Sequence, residues 1–225
     1  QMMSNGAMGS GVSSAISRAL GSGDRDKASA LAVHALVIGG VVGVLYSLLL
    51  VLCGSVFYRW LGGRGEVLQA ATGFGAVLFS GAVLVWLCNT LASVVRGTGN
   101  MQWPSAVLFG VSLLQIVVGG AFGLGLGPAP RWGMAGVALG NIVAMAVAVV
   151  VLGWYLLRGQ DRLLLRWRGA RLSWPMFQDI LRVGALACIS PVQTSLAALV
   201  LTGMVARLGP DALAGYGIGQ RLEFL

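Results

Sequence analysis

Ala30-Leu-Ala-Val-His34-Ala-Leu-Val-Ile-Gly-Gly40-Val-Val-Gly-Val-Leu-Tyr46-Ser-Leu-Leu-Leu50-Val-Leu-Cys53 contains no Asp, Glu, Lys or Arg. A helix needs ~20 such residues to cross the ~30 Å hydrocarbon core of a bilayer. Residues 30–53 are long enough, and the same reading extends to residues 67–95, 103–126, 133–157 and 183–206, with a shorter apolar tract at 1–17. Backbone N–H and C=O groups find no water in lipid, so a helix is the economical way across. The chain is expected to be an all-α membrane protein, a polytopic bundle of transmembrane helices.

Composition agrees. The chain is 57% hydrophobic and 10% charged, with a mean hydropathy of +0.85. No soluble domain of this size has an interior able to hide that much apolar surface. The 35 glycines lack the three-residue period of collagen, and the hydrophobicity excludes disorder. Glycine within apolar helices points to close helix–helix approach in a membrane.

The net charge of +8 is distributed unevenly. Arg18, Arg25 and Lys27 fall in the first polar break, Arg96 in the third, and Arg158, Arg162, Arg166, Arg168, Arg171 and Arg182 in or beside the fifth. The alternate breaks hold Arg59, Arg64, Arg131 and Arg207. The richer side is expected in the cytoplasm. No basic face is interleaved with base-stacking aromatics, so nucleic acid is not an expected partner. Trp60, Trp103, Trp132, Trp154, Trp167 and Trp174 lie near span ends or in breaks, and Trp86 alone is mid-span; indoles favour the headgroup region. Cys53, Cys88 and Cys188 are far apart and show neither zinc nor disulfide spacing. They read as small buried residues.

The breaks carry turn chemistry. Gly21-Ser-Gly-Asp24-Arg-Asp26-Lys27 ends one helix with glycines and starts the next at Asp24 or Asp26, either of which can cap free N–H groups. Arg96-Gly-Thr-Gly-Asn100 before Pro104 is a second tight turn, and Pro128 and Pro130 mark a third. In the longest break, 158–181, Arg162-Leu-Leu-Leu-Arg166-Trp167 suits a short helix lying on the membrane surface or a solvated linker. The chain opens at Gln1 directly into apolar sequence and stops at Leu225 soon after Gly209-Pro210-Asp211; it reads as a piece of a longer membrane protein.

No hydrolytic or group-transfer constellation is present, and no enzyme activity or cofactor is expected. His34 is the single histidine; with neither a triad partner nor a second metal ligand, it reads as a packed or pore-lining residue. Gly9-Ser-Gly11 has no preceding strand and no phosphate-loop lysine, so its small residues suit tight packing. Six of the seven acidic residues lie in or beside breaks; Glu223 lies inside the last apolar segment. An ionisable group at membrane depth is kept for a pathway, a coupling ion or an internal partner. Asn89, Gln115, Asn141, Gln193 and Thr194 are neutral polar residues within spans, each able to hydrogen-bond across helices. Pro191 removes a backbone hydrogen bond and is expected to kink the 183–206 span, beside Ser190, Gln193 and Thr194. Transporters use such interruptions for binding.

Four segments, in order, carry a resemblance. Gly9-Ser-Gly11-Val-Ser13-Ser14-Ala-Ile-Ser17-Arg18-Ala-Leu-Gly21-Ser-Gly23-Asp24 resembles the end of the second helix of the MATE family (multidrug and toxic compound extrusion). Arg96-Gly-Thr-Gly-Asn100 with Pro104 is similar to the turn between that family's helices four and five, and Asp179-Ile-Leu-Arg182-Val-Gly184 to the start of its helix seven. Ala214-Gly-Tyr216-Gly217-Ile-Gly-Gln220-Arg221-Leu-Glu223 is similar to its helix eight.

The resemblance implies a partial twelve-helix transporter of two six-helix lobes around a central cavity. Residues 1–157 would supply helices two to six of the N-terminal lobe, 158–178 a basic cytoplasmic linker, and 179–225 helix seven and part of helix eight. The implied activity is secondary antiport: inward sodium or protons drive export of organic cations and drugs across the inner (plasma) membrane. The protein is expected to be monomeric when full length, with membrane lipids as its other partners. Glu223, Gln193, Thr194, Asn89 and Asn141 are the candidate transport and coupling residues. Some members have a glutamate in helix seven near the position of Gln193 or Thr194, where this chain has no acid, which leaves Glu223 as the visible coupling candidate. The alternatives are a lipid-linked oligosaccharide flippase of the same superfamily and a non-transporting assembly subunit.

Overall fold

The computed structural model describes residues 8–60, 65–125, 132–159, 163, 172–206, 209, 215–217 and 219. Among these residues the long elements are helices: α1 (Gly9–Gly21), α2 (Arg25–Trp60), α3 (Gly65–Ser80), α4 (Ala82–Gly97), α5 (Gln102–Leu124), α6 (Met134–Leu157) and α7 (Trp174–Ala206). No described residue is in a strand. Four of the helices, α2, α5, α6 and α7, are long and apolar enough to cross a membrane, and α3 with α4 makes a fifth span when the bent pair is taken as one. Those are the five full-length tracts of the sequence.

The 67–95 tract is not one straight helix. It breaks at Gly81, where Thr72–Ser80 and Ala82–Gly97 meet at 42°. Ser–Gly pairs are recurrent kink sites, and here the Ser80 hydroxyl donates to the Val77 carbonyl at 2.6 Å. A Cβ on Gly81 would lie 2.5 Å from Ile142 Cγ1, so α6 presses into the bend. In the first tract the described helix is α1, which runs on past residue 17 to Gly21; residues 1–7 lie outside the described residues. α7 starts at Trp174, five residues ahead of Asp179. The Ser173 carbonyl accepts from the N–H groups of Met176 and Phe177, and Pro175 costs no hydrogen bond in a first turn. Leu163 lies outside regular structure and is buried at 1% exposure. That residue is tucked into the bundle; the rest of Arg162–Trp167 lies outside the described residues.

The turns follow from their residues. After α1, Gly23 (φ +81°) occupies the left-handed region, Gly23 N–H reaches the Leu20 carbonyl and Asp24 N–H the Ala19 carbonyl. This paired closure ends a helix on glycine. The Asp24 carboxylate then accepts the Lys27 N–H at 2.9 Å and caps α2. Between α4 and α5, Gly99 (φ +93°) turns the chain, and Asn100 Oδ1 accepts from the N–H groups of Gln102 and Trp103.

Glycines set the helix contacts, as the composition implied. Gly119 and Gly123 on α5 face Gly136 and Gly140 on α6. A Cβ on Gly140 would sit 2.5 Å from Gly119 Cα, and one on Gly136 2.5 Å from the Phe122 backbone. Lipid tails are as apolar as leucine, so close packing drives this pairing where a hydrophobic gain cannot.

The buried core gathers at one end of the bundle. Ile16, Leu31, Val94, Val95, Leu152, Leu156, Leu163 and Ile180 are fully covered there. The same end holds the arginine-rich breaks: Gly97 abuts Ile16, Asn100 Nδ2 donates to the Tyr155 hydroxyl at 3.0 Å, and Arg18 pairs with Asp179 at 2.7 Å. Trp103, Trp132, Trp154 and Trp174 are exposed at helix ends, and Arg158 stacks over Trp154 at 3.8 Å, an arrangement suited to the headgroup layer.

Candidate functional site

The polar groups inside the bundle lie on α2 and α4. His34, Asn89, Thr90 and Ser93 are buried. Ser93 Oγ donates to the Asn89 carbonyl at 2.7 Å, Arg96 Nη2 donates to Ser93 Oγ at 2.8 Å, and Thr90 Oγ1 donates to the Trp86 carbonyl at 2.8 Å. Gly39 on α2 admits Thr90, whose Oγ1 would lie 2.5 Å from a Cβ there. Among the described residues, no buried side-chain nitrogen or oxygen lacks a partner. The seam from Asn89 to Arg96 is thus a satisfied polar column ending at the basic face.

Asn141 does not join it. It is half-buried on α6, beside the Ile142 that presses on Gly81. From Gly81 to Asn89 is about two helical turns, ~12 Å along the axis. Gln193 and Thr194 lie on the exposed outer part of α7, and Thr194 has a partner within the chain. α7 runs through residue 191 as one helix; the Pro191 side chain and the whole of Glu223 lie outside the described residues. The described spans therefore place Asn89 in the interior, Asn141 near the bend, and Gln193 with Thr194 on an open face, as three separate positions.

Asp26 sits in the first turn of α2, Asp24 immediately precedes that helix and Asp179 lies in the second turn of α7. No group of three or more His, Cys, Asp or Glu side chains able to hold a metal ion occurs among the described residues. Cys88 is buried and Cys53 and Cys188 half-buried, all as free thiols. A cleft of about 600 Å³ opens at the start of α7, lined by Pro175, Gln178, Asp179, Leu181 and Arg182.

Of the packed and pore-lining readings of His34, the structure bears out the packed one. Its imidazole is completely buried. Nδ1 is 2.7 Å from the Ala30 carbonyl, Nε2 accepts the Ser173 N–H at 2.9 Å, and the Phe177 ring stands edge-on at 4.6 Å.

Glycine-tight apolar helices, basic ends gathered at one end of the bundle and a buried polar column define a multi-span helical membrane protein. The MatE family model matches residues 2–120, and the chain belongs to that family. It is 26% identical over 224 residues to the FAD transporter of Shewanella oneidensis, covering 96% of this chain and 48% of that protein. It is 25% identical over 215 residues to the probable multidrug resistance protein NorM of Thermotoga maritima, covering 96% of this chain and 46% of that protein. The chain thus spans about half the length of these relatives. A multidrug resistance MATE family transporter of the MOP superfamily solved facing inward matches with a TM-score of 0.85 at 26% identity, over 94% of this chain and 48% of that one. One solved facing outward matches with a TM-score of 0.83 at 25% identity, over 98% and 48%.

Proposed function

We propose that the protein is a cation-coupled antiporter of the inner membrane, exporting organic cations and drugs in exchange for sodium or protons. Residues 1–157 act as the first lobe, 158–178 as the cytoplasmic linker, and 179–225 open the second lobe. The observation that carries this reading is the course of α7. Its first turns dock on α1 and α2, whereas Leu186, Ile189, Leu196, Leu199 and Met204 beyond them are more than half exposed. A second lobe would cover that face, with Gln193 and Thr194 toward the space between the lobes. The similar match to inward- and outward-facing transporters supports a fold common to both states of the cycle.

Glu223 is the coupling acid in this scheme: negative while it holds a cation, released by protonation or sodium exchange. Asn89 and Asn141 supply neutral polar contacts on the first-lobe side. The full-length protein acts as a monomer within its lipid shell. The test is dye efflux from proteoliposomes of the full-length protein under an imposed sodium or pH gradient. Ethidium export driven by one gradient is expected, with Glu223→Gln abolishing it at unchanged protein level. Normal export by that variant removes Glu223 from the mechanism. The Shewanella relative favours a second substrate class, a flavin nucleotide, and FAD efflux in the same vesicles separates the two.

A further inference from the structure

We propose that His34 is a positioning residue that clamps the start of α7 to the first lobe, so that lobe motion is taken up farther along α7. The inference rests on the transporter reading for its functional consequence. The tautomer follows from the partners. A carbonyl can only accept and a peptide N–H can only donate, so Nδ1 carries the proton toward Ala30 and Nε2 offers its lone pair to Ser173. Ser173 immediately precedes α7, where helix N–H groups have no partner within the helix. His34 supplies one across 139 positions of chain.

The other contacts of this joint differ in kind. The Arg18–Asp179 pair is half exposed, at 50% and 41%, and screened by solvent. Gly11 meets α7 backbone to backbone: a Cβ there would lie 2.8 Å from Gly184 N and from the Ile180 carbonyl oxygen. That contact fixes how closely the helices approach but allows sliding. The His34–Ser173 bond fixes the register, in a site closed by Phe177 and buried Ile180. Past Gly184 the face of α7 is open, so the clamped part ends there.

The test uses the full-length transporter. His34→Gln places an amide oxygen near the position of Nε2, His34→Asn places its amide near Nδ1, and His34→Phe keeps a ring without an acceptor. Ser173→Pro removes the donor from the other side. Spin labels at Ser22 and Gln178, both exposed, report the distance between the α1 end and the α7 start, with and without substrate. Wild type and His34→Gln are expected to give one narrow distribution that substrate leaves unchanged. His34→Asn, His34→Phe and Ser173→Pro are expected to broaden it and to lower kcat about tenfold with little change in KM. Should His34→Phe fail to fold, Ser173→Pro, which leaves the imidazole in place, reads the same contact. Narrow distributions in His34→Asn and Ser173→Pro overturn the clamp whatever the rates do. Absence of all gradient-driven efflux in wild type overturns the transport reading instead, while the distances still decide the clamp.

Discussion

Asp24 serves two helices. Its N–H closes the end of α1 on the Ala19 carbonyl and its carboxylate caps α2 through Lys27 N–H. The backbone bond survives any non-proline substitution; the cap does not. Asp24→Ala is therefore expected to destabilise the protein by about 1 kcal/mol, and Asp24→Asn by much less, read as thermal midpoints of the purified transporter. The sequence offered Asp24 and Asp26 equally. The left-handed Gly23 decides between them, because it brings the chain out of α1 with Asp24 already at the next helix start. His34 shows the opposite limit. Its burial was legible from the apolar tract around it, but its partner was not, since a backbone N–H 139 positions away leaves no mark in local sequence.

The elements were largely legible and their bends were not. Tract length and hydropathy located five spans, yet the 67–95 tract carries a 42° break. Nothing in its hydrophobic periodicity marks the break, which falls at the Ser80-Gly81 pair with Ile142 of α6 lying against Gly81. Gly81→Ala is expected to lower stability, and Ile142→Ala in the same chain to recover part of the loss, a non-additivity expected of contacting residues. The α5–α6 pair supplies a sharper contrast. A side chain at Gly140 meets the backbone of Gly119, whereas one at Gly110 meets nothing within 4 Å. Gly140→Leu should cost at least the ~1–3 kcal/mol typical of overpacking and empty the monodisperse peak in detergent chromatography. Gly110→Leu should leave that peak intact.

At the scale of the molecule, the arginine count by alternate breaks forecast which turns share a side, and the contacts gather those turns at one end of the bundle, with Ile16 against Gly97, Asn100 against Tyr155 and Arg18 against Asp179. A membrane-impermeant maleimide applied outside intact cells should label Arg59→Cys and spare Ser22→Cys and Gly159→Cys. Labelling of all three from outside would contradict the topology. The candidate transport residues were less legible than the spans. Asn89 and Asn141 belong to the same bundle, but the bend at Gly81 and the glycine pairing of α6 put them at different depths. The turn at residues 21–24 has one further bearing on how such a protein tolerates change. With a single aspartate shared by two helix ends, no spare residue exists there to absorb an insertion. A reporter or epitope spliced between Gly23 and Asp24 would break the Asp24 bond to Ala19 and leave the Lys27 cap on α2 in place, so the two helices would survive but lose the fixed angle between them.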